Sequence, residues 1–568
     1  MVRSARKVFF TCLIACAATV QAEAASLTDK TLQPEGLSYV GIHALRQMDP
    51  NLTGLGVRVA LVSRSMTYAE GEPQNDYQPN ARHDCFRGKQ FGFNDGARME
   101  AGISPHSTAI CSILLGKDET GFDAELGKFN YEGAAPSATA DLYEFWHFLT
   151  NNVFMGVPPE ADILSASIGT QFEDWWTRGI ESLAEQSGLI IVAGIGNGLA
   201  VHDPVLYPAA GSNVIGVGVI DSLNSEDLAT NLGRFALAYP EHSSVGPTED
   251  GRCKPDIVAP GNCLAAGIAE PNRYEPTGNW SSFSTPAAAG AIALLVQEAK
   301  EEPTLSLAVS PSGGNCVMKA IVMNSATKLP YWHKGLLEVE DDHFAPLDHI
   351  QGAGMLNAVE AYNQLVAGPA EPGEVAGTGW DNNALDRNTH SENTYKVSFS
   401  EPAGKFITAT LVWNKHYAST YPFEALPEKD ADLRLEVWAV DPNNPGRDYL
   451  LDYSDSPVDN VEHIYRQPDP NYTNYEIVVS YSDVEDSNQA PAVQQYALAW
   501  NVGGVPETDD SLLYDLNADG VLNRSDLDVL IDNYITYKTP GGYFMGDIDS
   551  NGAFDANDLQ SFLSRISP

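Results

Sequence analysis

Ile190-Ile191-Val192-Ala193-Gly194-Ile195-Gly196-Asn197-Gly198 is an apolar run that stops at a Gly-Asn-Gly turn. A run apolar at successive positions, rather than at alternate ones, is the form of a strand covered on both faces. Val57 to Val62, Ile163 to Ile168, Leu189 to Ala193 and Asn213 to Val219 are the clearest buried strands. Between Gly54 and about Val366 they alternate with helical patterns such as Ala287 to Glu298. This alternation predicts an α/β domain, a parallel sheet with helices on both faces.

The pattern then changes. Residues 367–388 are rich in Gly, Pro, Ala and Glu with no apolar period, and are expected to form a linker. Residues 389–503 hold strand-like runs, such as Phe406 to Trp413 and Tyr475 to Tyr481, without helices between them, which predicts a β-sandwich. Trp413 and Trp438 are expected in its core rather than on a sugar-binding platform. Residues 504–568 carry two similar acidic segments, each followed by an amphipathic run, an internal duplication.

A chain of 568 residues is long enough for several domains. Its 33 Lys and Arg against 76 Asp and Glu give a formal charge of -43, which repels nucleic acid and anionic membrane surfaces. At the start, Arg3, Arg6 and Lys7 precede the apolar stretch Val8 to Val20 and then Ala22-Glu23-Ala24. This is the order of a signal peptide over residues 1–24, implying a secreted or cell-surface protein. Leu13-Ile14-Ala15-Cys16 offers a lipoprotein anchor at Cys16 as the alternative. No later stretch reaches the ~18–20 apolar residues of a spanning helix. Beyond the leader stand Cys85, Cys111, Cys253, Cys263 and Cys316, an odd number without metal-ligand spacing, and the closely spaced Cys253 and Cys263 are the expected bridge.

Several motifs carry chemistry. Pro105-His106-Ser107-Thr108-Ala109 opens an apolar helix, and Asn197 ends a buried strand. Tyr207-Pro208-Ala209-Ala210 is followed by Asn213-Val214-Ile215-Gly216-Val217-Gly218, and Ser243-Ser244-Val245-Gly246-Pro247 by Lys254-Pro255-Asp256-Ile257-Val258-Ala259-Pro260-Gly261. Trp280-Ser281-Ser282-Phe283-Ser284-Thr285-Pro286 leads into Ala287-Ala288-Ala289-Gly290, and Gln351-Gly352-Ala353-Gly354-Met355 closes the region. In this order and spacing the chain resembles the subtilisin-like serine peptidases, or subtilases, from about Leu37 to Val366.

That resemblance implies a subtilisin-like domain over residues 25–366 that hydrolyses peptide bonds of extracellular proteins. His106 matches the general base and Asn197 the oxyanion donor. Aligning Pro286 and Gly290 places the nucleophile at Ser282, with Trp280 and Ser281 in place of the family's Gly-Thr. Trp280 is expected to crowd the oxyanion site. Ser165, Ser167 and Gly169 match the edge strand that pairs with an extended substrate.

The departure is at Gly54 to Val62, where the strand leading to the triad aspartate is followed by Ser63. Losing that carboxylate costs roughly 10⁴ in kcat in studied triads, yet the oxyanion hole and substrate binding retain ~10³–10⁴ of acceleration over water. Ser63 is expected to orient His106 by a hydrogen bond without supplying charge, and Asp76 or Asp84 is the candidate replacement. The resulting expectation is a weakened serine endopeptidase. The alternative is a catalytically inactive peptide-binding or scaffold-docking protein on the same fold.

In the tail, Asp515, Asn517, Asp519, Gly520, Asn523 and Asp526 fall at positions 1, 3, 5, 6, 9 and 12 of an EF-hand-type calcium loop. Asp547, Asp549, Asn551, Gly552, Asp555 and Asp558 repeat the spacing, so Ca²⁺ is the expected cofactor. With one clear helix after each loop, the pair resembles a dockerin type I module, a small α-helical calcium-loop domain. The resemblance implies a cohesin-type scaffold protein as partner. A calcium-stabilised tail without a partner is the alternative.

Overall fold

In a computed structural model the apolar runs become strands because aliphatic side chains fill both faces of the sheet they form. β1 (Arg58–Ser63), β2 (Phe91–Asn94), β3 (Thr139–Glu144), β4 (Ile163–Ala166), β5 (Ile190–Gly194), β6 (Ile215–Ile220) and β7 (Ile257–Pro260) make one seven-stranded sheet. Its order is β7-β6-β5-β4-β1-β3-β2 and every pairing is parallel. Along β1, Val59 and Leu61 enter one apolar core while Ala60 and Val62 enter another. The first core also takes α1 (Pro105–Leu115) and α3 (Ser281–Glu301); the second takes α2 (Trp175–Ser187).

The structure describes residues 31–504, apart from 65–67, 70–71, 74–75, 97–101, 199–203, 223–226, 236–241, 330–331, 336–342, 400–404 and 483–492. Beyond 504 it describes only residues 524–528, 531, 560 and 562–563. Leu32–Pro568 is one unit and Met1–Thr31 another. The expected signal peptide and, except for Asp526, every calcium-loop residue named above lie outside the described residues. Asp526 sits in the short helix at 524–528 and is buried.

After α4 (Gly314–Asn324) and α5 (Ala358–Ala367) the described chain up to residue 504 builds strands joined by loops and two single-turn helices. They are β8 (Gly373–Val375), β9 (Thr378–Asp386), β10 (Glu392–Ser398), β11 (Lys405–Val412), β12 (Leu433–Val440), β13 (Tyr449–Ser454), β14 (Val461–Arg466), β15 (Asn474–Tyr481) and β16 (Val493–Gly504). One sheet runs β8-β10-β15-β12-β13 and the other β9-β16-β11-β14. All pairings are antiparallel except that of β8 with β10. Tyr395, Ile407, Trp413, Leu435, Ile477 and Trp500 share one core between the sheets. Trp413 is fully buried there, whereas Trp438 is half-buried and its Nε1 donates to Glu436 at 2.7 Å.

Two expectations are corrected. Residues 367–388 are no spacer: β8 and β9 begin within them, and Trp380 is fully buried with its Nε1 donating to the Leu365 carbonyl at 2.9 Å. Composition concealed this because Gly and Ala on β9 alternate with large inward residues. The Cys253–Cys263 bridge does not form, and Cys85, Cys111, Cys253, Cys263 and Cys316 are all free and buried. Cys253 instead gives its backbone N–H to the Asp459 carboxylate at 2.9 Å. Among the described residues no helix is long and apolar enough to cross a membrane.

Candidate active site

The carboxyl ends of the parallel strands carry the residues singled out above, as expected where an open parallel sheet presents its loops. Ser63 is the last residue of β1, Ser165 lies in β4, and Asn197 follows β5. His106 and Ser282 each occupy the second position of a helix, α1 and α3.

At the start of α3, Trp280 is extended (φ -131°, ψ 139°) and supplies no side-chain cap. Its ring stands edge-on to His242 at 6.3 Å and packs against the core. Pro286 falls four residues after Ser282 and has no N–H, so the Ser282 carbonyl loses its helical partner. Ser167 Oγ donates to that carbonyl instead, at 2.8 Å. The chain leaving β4 is thereby tied to the turn that carries Ser282.

Asn197 is held from one side only. Its Oδ1 accepts from the Ser281 N–H at 2.9 Å and from Ser281 Oγ at 3.0 Å. An amide oxygen facing two donors fixes which end is oxygen, so Nδ2 is the free end, and it meets no partner among the described residues. Gly196 N donates to Ser281 Oγ at 3.2 Å, closing the link between β5 and α3. Gly196 has φ 116°, and a Cβ there would stand 2.4 Å from Ser244 Oγ, so only glycine delivers the chain to Asn197. Ser281 was not singled out from sequence; its signal was the serine pair at the helix start.

His106 is less engaged. Both ring nitrogens are shielded from solvent and have no hydrogen-bond partner, and the nearest ring is Phe283 at 5.9 Å. Burial alone pushes its pKa down to about 4, with no carboxylate offsetting it. Ser63 is fully buried, but its Oγ lies 2.7 Å from Ser107 Oγ, not against His106. The expectation that Ser63 orients the histidine is therefore corrected: the residue replacing the family's glycine, Ser107, takes the hydroxyl.

Among the described residues no carboxylate hydrogen-bonds to His106. Asp84 pairs with Arg87 at 2.6 Å, and Asp76 sits in a short strand paired with Gly102–Ile103. Glu144, beside Ser63 in the β3–β1 register, accepts the His147 N–H at 2.9 Å. Ser165 is buried with an unpartnered hydroxyl, and a Cβ on Gly169 would stand 2.8 Å from Leu206. Among the described residues no three His, Cys, Asp or Glu side chains group as a metal site.

Residues 48–354 match the Subtilase family. Over 268 residues the chain is 26% identical to subtilisin-like protease SBT6.1 of Arabidopsis thaliana, covering 46% of this chain and 22% of that protein. It is 36% identical over 132 residues to the C5a peptidase of Streptococcus pyogenes, 23% of this chain and 10% of the relative. It is 29% identical over 157 residues to serine protease AprX of Bacillus subtilis, 24% of this chain and 34% of the relative. The chain thus spans between 10% and 34% of these relatives' own lengths. Because the family match takes in more than half of the sequence, including the whole seven-stranded sheet, this protein belongs to the subtilase family.

Proposed function

We propose that this protein is a secreted serine endopeptidase of low turnover acting on extracellular polypeptides. In this reading Ser282 Oγ attacks the scissile carbonyl and His106 accepts the serine proton. Asn197 Nδ2, with the free N–H groups opening α3, stabilises the oxyanion. The observation that carries it is the Asn197 amide, whose oxygen is held by Ser281 so that Nδ2 is preset as a donor. Preset donors cost no reorganisation during reaction, and removing one in a related setting costs about 10²–10³ in kcat. The imidazolium formed at His106 has no carboxylate partner among the described residues, which sets the low turnover. Ser165, Ser167 and Gly169 take the substrate backbone by strand addition.

Around this core we read residues 1–24 as a signal peptide and the paired sheets of the C-terminal half as a β-sandwich supporting the peptidase. Residues 504–568 are read as a dockerin-like calcium module with a cohesin-type partner. The Asp and Asn oxygens of its two loops are the hard donors that Ca²⁺ prefers. The test of activity is casein hydrolysis by the exported chain and its Ser282→Ala variant: turnover lost in the variant supports the enzyme. Equal background rates would overturn it and favour the second reading, peptide binding without cleavage, which rests on the Ser63–Ser107 hydroxyl pair at 2.7 Å.

A further inference from the structure

A cleft of about 660 Å³ lies far along the chain from Ser282, between α4, α5 and the outer face of the sheet β9-β16-β11-β14. That volume lies inside the ~300–1,000 Å³ range of small-molecule sites. Its chemistry follows from strand register. Alternate residues of β11 leave the sandwich core, and each aligns with partners on β9, β16 and β14 to form rungs. Val412 aligns with Ala497 and Val461, an apolar rung in the core shared with α4. The next rung, Trp380, Ala499, Thr410 and His463, is buried, and its polar atoms are spent. Thr410 Oγ1 donates to Asn324 Oδ1 at 3.1 Å and lies 2.8 Å from His463 Nδ1.

The third rung is Thr378, Asn501, Thr408 and Tyr465, and all four line the cleft. Thr378 Oγ1 donates to Asn501 Oδ1 at 3.0 Å. That leaves Asn501 Nδ2, the Thr408 hydroxyl and the Tyr465 hydroxyl without partners among the described residues. Burial alone pushes the Tyr465 phenol up to about 12. One rung further out, Phe406 stands opposite Gly503, and the Asn501 amide lies over that glycine, where a Cβ would stand 3.4 Å from Nδ2. The Phe406 ring stacks on Tyr465 at 4.4 Å and 19°.

The ionic groups of the cleft are occupied or single. Lys328 Nζ donates to the Ala353 carbonyl, lies 3.0 Å from His463 Nε2 and sits over the rings of Trp332 and Tyr465. Glu360 is the one carboxylate in the lining and stands near the Asn363 amide at 3.4 Å. A cleft without a free cation does not select anions, and one lined by amides and hydroxyls does not select an apolar ligand. Neutral donors and acceptors in a row beside an aromatic shelf match the alternating hydroxyls and C–H face of a sugar ring.

We propose that this cleft binds a neutral saccharide, with Phe406 stacking on a ring face and Asn501, Thr408 and Tyr465 bonding its hydroxyls. The site is independent of turnover at Ser282 and gives the protein a means of being held on a glycan. The test titrates cellobiose, maltose and diacetylchitobiose into the full chain, followed by saturation-transfer NMR and by Trp332 fluorescence. At least one sugar is expected to receive saturation, with affinity weakened tenfold or more in Phe406→Ala and Asn501→Ala. Should Phe406→Ala fail to fold, Thr408→Val keeps the shape and removes one hydroxyl, and it too must weaken binding. No transfer to any of the three at about 10 mM, enough to fill about nine-tenths of a site with a Kd of about 1 mM, would overturn the proposal. So would binding undiminished in these variants, or a neutral peptide such as tetraalanine taking the cleft while the sugars do not.

Discussion

Ser63 Oγ and Ser107 Oγ face each other at 2.7 Å, two buried hydroxyls that satisfy one another beside the histidine a carboxylate would otherwise serve. Replacing one member with an acid tests how complete the rest of the machinery is. Ser63→Asp places a carboxylate within reach of the Ser107 hydroxyl and next to the residue that carries the imidazole. Hydrolysis of a fluorogenic peptide is expected to rise by about 10²–10⁴ in kcat. An unchanged rate would mean that His106 is not aligned with Ser282.

The pH profile follows from the burial of His106. A general base works as the neutral imidazole, so the rate falls as pH drops through the folded-state pKa. Burial lowers that value to about 4, and kcat/KM should therefore hold through pH 6.5 and fall only near pH 4. In Ser63→Asp the new charge favours the imidazolium, so the acid limb should move up in pH. A native limb at about 6.5 would contradict the buried, uncompensated ring.

Asn197 and Ser281 separate the donor from its mount. Asn197→Ala is expected to lower kcat by about 10²–10³ with KM little changed, because the donor acts on charge that develops in the transition state. Ser281→Ala removes the hydroxyl but keeps the backbone N–H on Asn197 Oδ1, so the loss should be smaller, about tenfold. Equal losses in both variants would show that Asn197 acts only as structure.

Beneath β6 and β7 the fully buried Asp256 meets Lys254 Nζ at 2.6 Å, Lys319 Nζ at 2.9 Å and the Gly216 N–H at 2.6 Å. Asp256→Asn strands two buried ammonium groups and is expected to cost about 3–5 kcal/mol. Urea denaturation followed by tryptophan fluorescence measures it. A loss under about 1 kcal/mol would mean that the lysines find other partners.

Calcium uptake tests the tail. Equilibrium dialysis of the full chain is expected to give two tail-bound Ca²⁺, falling by one in Asp515→Ala and by one in Asp547→Ala, with peptide hydrolysis unchanged. Uptake unaffected by either substitution would dismiss the loops as ligands.

The parallel sheet was legible because Val59 to Val62 and Leu189 to Ala193 are apolar without alternation, a pattern only a doubly covered strand requires. Ser282 and Asn197 were placed through the resemblance to subtilases, from Pro286 with Gly290 and from the Gly196-Asn197 turn, and the structure sets Ser282 in the first turn of α3 and Asn197 just after β5. What stayed hidden depends on tertiary packing. The Ser63 hydroxyl turns to Ser107 rather than to His106, a choice among near neighbours that spacing does not encode. Of the strands after Ala367 only β8 and β9 were hidden, by the Gly and Ala around them, whose role emerges when Trp380 is buried and Trp500 packs against Gly379. Cysteine spacing suggested a bridge, but Cys253 and Cys263 both stay free and buried within one apolar cluster.

The core shared between the seven-stranded sheet and the C-terminal strands has a practical result. Trp380, Val412, Val461, Ala497 and Ala499 belong to the same apolar cluster as Leu294 and Val317, while Phe423, from the loop after β11, is buried beside Ile180 and its carbonyl accepts from Arg178 Nε at 3.0 Å. A nick between Ala367 and Gly373 would cut the polypeptide without parting it. The clipped protein would separate into fragments on a denaturing gel yet elute as a single particle from a sizing column.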